Sequence, residues 1–214
     1  MTRDEAVSLM LEQLGFRTDL SSNCITHLKL AQIQLEKGPT KPWFLISAQL
    51  SLATIAGTET VAVPTGFIQE YDQATLKYVP DDSEGLADEV DLVKGTYDVL
   101  RVNFREVESG APQAYALMNG NFHIFPLPDA VYSLKLIQYT KDTVLDTNIE
   151  NAWLRESPKL LIGAAGKELA AALRDSAAMA TFQRWENEDR LLTFSETISK
   201  EMAGFDMQVG GPHA

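Results

Sequence analysis

The rhythm of apolar and polar positions changes twice along this chain, near Pro39 and near Asn151. The first stretch is helical. Thr2 and Glu5 have the spacing of a capping box, and Ala6, Leu9, Met10 and Leu14 then recur at helical intervals up to Gly15, a residue suited to a left-handed cap. A second helix is predicted from about Leu20 to Lys37, where Gly38 and Pro39 stop it. Leu20, Cys24, Leu28, Ala31 and Leu35 form its apolar stripe. The short connection predicts an antiparallel helix hairpin.

From Trp43 to about Tyr139 the pattern favours strands. Predicted segments are 44–55, Thr60–Val63, Gly66–Tyr71 and Tyr97–Phe104, the last read from its alternation. Asn119-Gly120 between Ala116–Met118 and Phe122–Phe125 is a two-residue hairpin signal. Further on, Pro126-Leu-Pro128-Asp129 predicts a rigid turn, with Asp129 placed to bond back to the turn backbone. Branched and aromatic residues flank that turn as strands would.

Helix returns after Asn151. Ser157-Pro158 reads as an N-cap followed by proline at the first helical position, opening an alanine-rich helix to Arg174. Its small side chains allow another helix close approach. Ser176 opens a fourth helix to about Met202, ended by Gly204, with Met179, Phe182, Trp185, Leu192 and Ile198 predicted near one face. Glu186, Glu188 and Asp189 are expected on its wet side. The organisation predicted is α+β: a four-helix bundle built from N- and C-terminal helix pairs with an inserted antiparallel β domain. The segments are 1–42, first half of the bundle; 43–150, the inserted β domain; 151–203, second half of the bundle; and 204–214, a flexible C-terminal tail. The bundle proper is expected over 1–38 and 157–203, with 43–140 as the β insertion.

Composition narrows the chemistry. Thirty acidic residues against 18 basic ones give a net charge of −12, so gripping nucleic acid phosphate is disfavoured. The single cysteine, Cys24, excludes an intrachain disulfide and a cysteine zinc cluster. The N-terminus does not read as a signal peptide, and no apolar run reaches spanning length. Gly163-Ala-Ala-Gly166-Lys167 fails as a phosphate loop, because Leu161 stands where the first glycine belongs and Glu168 where Ser or Thr should follow. It reads as a tightly packed helix. His27, His123 and His213 lack metal-ligand spacing, so no metal and no cofactor are expected. Cys24 and His27, one helical turn apart, read as core and edge. Trp43, Trp153 and Trp185 read as core. Asp81, Asp82, Glu84, Asp88, Glu89 and Asp91 put six carboxylates into eleven residues, without calcium-loop spacing. This stretch is a solvated loop or an acidic face turned to a channel or a basic partner. No catalytic constellation stands out.

The segment Phe122-His-Ile-Phe-Pro126-Leu-Pro128-Asp129-Ala-Val-Tyr132-Ser-Leu134, followed by Asn151-Ala-Trp153-Leu-Arg-Glu-Ser-Pro158-Lys-Leu160-Leu161, resembles the head-to-tail adaptor proteins of tailed bacteriophages, the tail tubular protein A-like family. Lys159 and Gly163 depart from the family pattern, which has an acidic and a larger residue there. The resemblance implies a helical bundle with an inserted β domain and a structural, non-enzymatic role. It implies a homo-oligomeric ring, usually dodecameric, that docks under the portal protein and receives the tail nozzle or next neck protein. The virion neck is the implied location, with assembly in the host cytoplasm and no membrane partner. Genomic DNA would pass through without specific binding, along acidic walls that repel phosphate. Phe205, Met207 and Val209 alternate in the tail and are candidates for portal or partner docking. The alternative function is a glycan hydrolase using paired carboxylates of the β region, and a third reading is a ligand-binding module there.

Overall fold

The computed structural model describes residues 1–71, 76–79 and 89–209, with side chains described through Lys200. Among these residues the protein is mixed α+β and forms two compact units, residues 1–45 with 141–214 and residues 46–140.

The first unit is helical. Helix α1 (Arg3–Gln13) starts at the expected box: the Thr2 side chain accepts from the Glu5 amide, and Glu5 Oε2 accepts from the Thr2 amide at 2.8 Å. Gly15 follows in the left-handed region at φ 72°. Helix α2 (Ser21–Lys37) buries Cys24, Leu28 and Ala31 as its stripe predicts. Its buried side also carries Gln32 and Glu36. These join Asn151, Asp142 and the Thr143 carbonyl in a polar network that ties α2 to the chain before the short helix α4 (Ala152–Glu156). Lys41 is buried too, and its ammonium donates to the Glu36 and Gly38 carbonyls that α2 leaves unpaired at its end. Burial pulls the Lys41 pKa down, against the opposing pull of the Glu36 charge.

Helix α5 (Pro158–Leu173) lies against α2 and against the 34-residue helix α6 (Ser176–Val209). Gly204 therefore does not end the last helix. A lone glycine inside a long helix costs about 1 kcal/mol relative to alanine, too little to stop it.

The second unit holds ten short strands among its described residues. One sheet runs β1 (Leu50–Ala53), β9 (Ser133–Leu136), β4 (Lys77–Val79), β5 (Val90–Asp91). A second runs β2 (Thr60–Ala62), β8 (Asn121–Phe125), β7 (Ala114–Met118), β6 (Val93–Lys94), and a two-stranded sheet pairs β10 (Gln138–Thr140) with β3 (Phe67–Glu70). Tyr115, Phe122, Ile124, Leu134 and Leu136 are buried in one apolar cluster drawn from the two larger sheets.

The hairpin at Asn119-Gly120 forms as predicted, with φ 52° and 74° and Met118 paired to Asn121. Asn119 and Gly120 are residue types that tolerate those angles. Residues 97–104 contradict the strand expectation. They form helix α3 (Tyr97–Asn103), because Tyr97, Leu100 and Phe104 share a helical face and pack on Ala114, Ala116 and Phe125. The β unit is not purely antiparallel: β6 and β7 pair in parallel, Val93 opposite Ala114. Parallel neighbours need a crossover, and α3 lies within it. The Pro126–Pro128 turn leads from β8 in one sheet to β9 in another, so it is not a hairpin. The Phe125–Pro126 bond is cis. Asp129 accepts from the Tyr132 hydroxyl and thereby pushes the Tyr132 pKa up to about 12.

Candidate assembly surfaces

The seam between α5 and α6 is the tightest contact described. A Cβ built on Gly163 would lie 2.6 Å from the Glu186 amide nitrogen and 2.7 Å from the Phe182 carbonyl oxygen. One built on Gly166 would lie 2.5 Å from the Phe182 ring. The Gly-Ala-Ala-Gly-Lys segment is thus a packing device inside a helix.

Lys167 Nζ donates to Glu186 Oε2 at 2.6 Å, and Arg190 donates to Glu186 Oε1 at 2.8 Å. Burial pushes the Glu186 carboxyl up, but these two cations more than reverse that and leave it below the usual range. Asp189 accepts from the Leu160 amide at 2.8 Å, so α6 caps the first turn of α5 from outside; burial raises the Asp189 pKa. Ser157 and Thr193 share a buried hydroxyl contact of 2.6 Å. The expected wet side of α6 is therefore wrong for Glu186, which is buried, and for Asp189, which is half-buried; Glu188 is exposed. A cavity of about 200 Å³ beside the seam is lined by Trp153, Lys167, Glu186 and Arg190, together with the end of α2.

The apolar face expected on α6 is also displaced. Ala178 and Phe182 are buried, and further along the inward positions are Thr193 and Thr197, while Leu192 and Ile198 are exposed by 62% and 56% and Leu191 by 75%. Past Thr193, α6 continues beyond the start of α5 and meets the short 3₁₀ turn Trp43–Leu45. There Thr197 accepts from the Trp43 amide at 3.2 Å, and the Lys200 ammonium sits 2.9 Å from the Trp43 ring centroid. Trp153 is fully buried, edge-on to Phe44, while Trp43 and Trp185 are half-buried.

Helix α1 and the turn after it border an apolar groove of about 570 Å³. Met1, Leu9 and Phe16 supply its apolar lining, and Glu5 and Glu12 its charge. Phe16 is 74% exposed and held at φ 59°, an uncommon angle for so bulky a residue.

Of the predicted acidic face, Asp81, Asp82, Glu84 and Asp88 lie outside the described residues. Glu89 accepts from Lys135 at 2.7 Å and lies 3.0 Å from Lys77, which together draw its pKa down to about 2; Asp91 is 3.9 Å from Lys77. These two acids thus sit among lysines of β4 and β9. Phe205, Met207 and Val209 fall within α6, but their side chains lie outside the described set. A helix repeats every 3.6 residues, so positions 205, 207 and 209 do not form the single row that an extended segment would give.

The remaining titratable groups are spread out. Cys24 is buried, and burial pushes its thiol up to about 11, so the reactive thiolate is scarce at neutral pH. His27 is half-buried one turn away. His123 Nδ1 lies 2.8 Å from Glu59 Oε1 and edge-on to Tyr97, a pair that sequence spacing did not reveal because β2–β8 pairing brings it together. Glu70, buried, takes Lys94 Nζ at 2.5 Å. Among the described residues no cluster of three or more His, Cys, Asp or Glu has metal-binding geometry, and no helix is long and apolar enough to cross a membrane.

Among curated proteins none matches the chain. The family model described as SU10 adaptor protein matches residues 3–198, nearly the whole sequence, in agreement with the adaptor pattern around Pro126–Asp129 and Ser157-Pro158. The chain therefore belongs to the SU10 adaptor protein family and is a structural head-to-tail adaptor of a bacteriophage virion.

Proposed function

We propose that copies of this chain close into a cyclic ring, a dodecamer by resemblance, that docks under the portal protein after genome packaging and receives the tail nozzle or the next neck protein. The observation that carries this reading is the family match across residues 3–198. In this reading α1, α2, α5 and α6 act as one four-helix body that keeps its shape under load. The glycine-mediated α5–α6 seam suits that task, since it joins backbone to backbone and leaves little room for sliding. The β unit and its acidic segment, Asp81 to Asp91, face the DNA exit channel or a basic partner. A chain of net charge −12 repels phosphate, so DNA slides through without being held. Residues 205–214, with Phe205, Met207 and Val209, dock on the portal or another neighbour and order fully on assembly. The role is structural and not catalytic, and assembly takes place in the host cytoplasm.

Mass spectrometry of purified virions tests the reading. The chain is expected in mature particles at a copy number equal to one ring; its absence from mature particles overturns the proposal. Deleting residues 205–214 is expected to leave the fold intact and weaken portal binding. Unchanged binding by the truncated protein refutes the docking role.

A further inference from the structure

Between Lys41 and Glu70 the chain carries a single charged residue, Glu59, where its overall fraction of 22% would place about six. The fold puts most of that stretch at sheet edges. Strands β1 and β2 are each the outermost strand of one of the two larger sheets, and residues 54–59 join them. The Thr54 amide donates to the Tyr132 carbonyl at 3.0 Å. Alternation along an antiparallel pair therefore turns the backbone of Leu50 and Leu52 towards β9 and that of Ser51 and Ala53 outward. Ser51 and Ala53 are exposed, and among the described residues no strand pairs with that outer side of β1.

Natural sheets blunt an open edge with charge, proline, a bulge or a covering segment. Residues 46–58 contain no charge and no proline, and the β1–β9 register is unbroken. The edge is also held in shape. Thr54 Oγ1 donates to the Ala130 carbonyl at 3.1 Å and accepts from the Tyr132 amide at 2.8 Å, and the Gly57 amide donates to the Pro128 carbonyl at 2.8 Å. Nearby charges are already engaged: Glu59 with His123, Lys135 opposite Ser51 with Glu89, and Asp129 with the Tyr132 hydroxyl.

We propose that the open edge of β1 receives an extended segment of a neighbouring copy of this chain, which adds a strand to the sheet β1-β9-β4-β5. A row of outward amides and carbonyls is matched by another extended backbone, so the occupant is a strand. Its source follows from charge. A basic partner gains from acids at its contact, whereas an edge stripped of charge on a chain of net charge −12 fits a partner that acids would repel. A second copy carries that same charge. A head-to-tail contact joins two different faces, so the added segment is not the neighbour's own β1. The inference rests on the ring reading above and specifies one side of its subunit interface.

Hydrogen exchange of the wild-type chain, in purified particles and as the free subunit, tests the edge. Two amides within residues 46–58 are expected to slow by roughly tenfold or more in particles. Equal exchange in the two states overturns the proposal. A photo-crosslinking benzophenone amino acid placed at position 53 identifies the occupant. Illumination of particles is expected to give crosslinked pairs of this chain. Crosslinks only to a different virion protein, or none in particles that contain the labelled chain, overturn the second copy as occupant and leave the ring reading standing. Absence of the wild-type chain from particles defeats the ring reading instead. Ser51→Pro removes an outward amide without touching a β1–β9 bond, so it is expected to leave the thermal midpoint of the free subunit near that of Ser51→Ala while lowering incorporation about threefold or more. Incorporation equal to that of Ser51→Ala overturns the strand addition.

Discussion

Replacing Gly163 by alanine tests the packing of the helical unit. The new Cβ would lie 2.6 Å from the Glu186 amide nitrogen, 2.7 Å from the Phe182 carbonyl oxygen and 2.9 Å from Glu186 Cα. All three are backbone atoms of α6, so no rotamer change relieves the clash. Ordinary non-bonded contact needs roughly 3.5 Å, so the two helices must part by a large fraction of an ångström. Overpacking of this kind costs about 1–3 kcal/mol, occasionally more. Alanine returns up to about 1 kcal/mol through its better helix propensity. Separation also stretches the Lys167–Glu186 bond and the Asp189 cap on Leu160, both now near 2.6–2.8 Å, which adds to the cost. The net expectation is destabilisation of about 2 kcal/mol. For a chain of this size that lowers the thermal midpoint by roughly 4–8 °C, followed by circular dichroism at the helical band. Gly15→Ala is the control: it removes a glycine at positive φ with open space around it, so it tests backbone strain without any clash. A Gly163→Ala midpoint equal to or above that of the wild type would refute the close-contact reading of the seam.

Thr193→Val leaves the buried Ser157 hydroxyl without its 2.6 Å partner and is expected to cost about 1–3 kcal/mol in urea unfolding; a loss below about 0.5 kcal/mol would contradict a buried pair. Gly120→Val is expected to cost about 1–2 kcal/mol, because the turn holds φ at 74° and a branched residue strains there although space is open; chemical denaturation reads it, and a neutral effect would contradict a left-handed conformation at Gly120. Glu89 has its pKa drawn from 4.5 to about 2 by Lys135 and Lys77, so its stabilising contribution is fully present above pH about 5 and lost as pH falls towards 2. Glu89→Gln is expected to flatten the dependence of the thermal midpoint on pH across that window, and an unchanged slope would show that the lysine contacts are not held in solution.

Much of this was legible in the sequence, and what was missed follows from particular residues. The capping box at Thr2, the stripe of α2, the proline start of α5 and the Asn119-Gly120 turn are local signals, and each settled its own element. The segment at 97–104 reads as a strand because Leu100, Val102 and Phe104 alternate with Arg101 and Asn103, while the contacts that decide its state are with Phe125 and Ala114, distant in sequence. As a helix it lies within the crossover that the parallel β6–β7 pair needs. On α6 Phe182 is buried as expected and Met179 and Trp185 are half-buried, but Leu192 and Ile198 are exposed. Glu186 is buried with Lys167 and Arg190 on its carboxylate; the Arg190 pair is an i,i+4 spacing legible along α6, but the Lys167 pair joins two helices, and no local pattern encodes it. The signal available was the pair of glycines in α5, which marked where a neighbouring helix comes close. The family pattern was legible in the proline turn and in Ser157-Pro158, whereas the His123–Glu59 pair depends on strand register alone.

The central claim is that this adaptor acts as a ring in the virion neck. Cryo-electron microscopy of intact particles, with the two units fitted separately into the density between portal and tail, tests it most directly. The account predicts a closed ring of copies of this chain there. Neck density that accepts no ring of this chain, in particles whose composition includes it, would contradict the account.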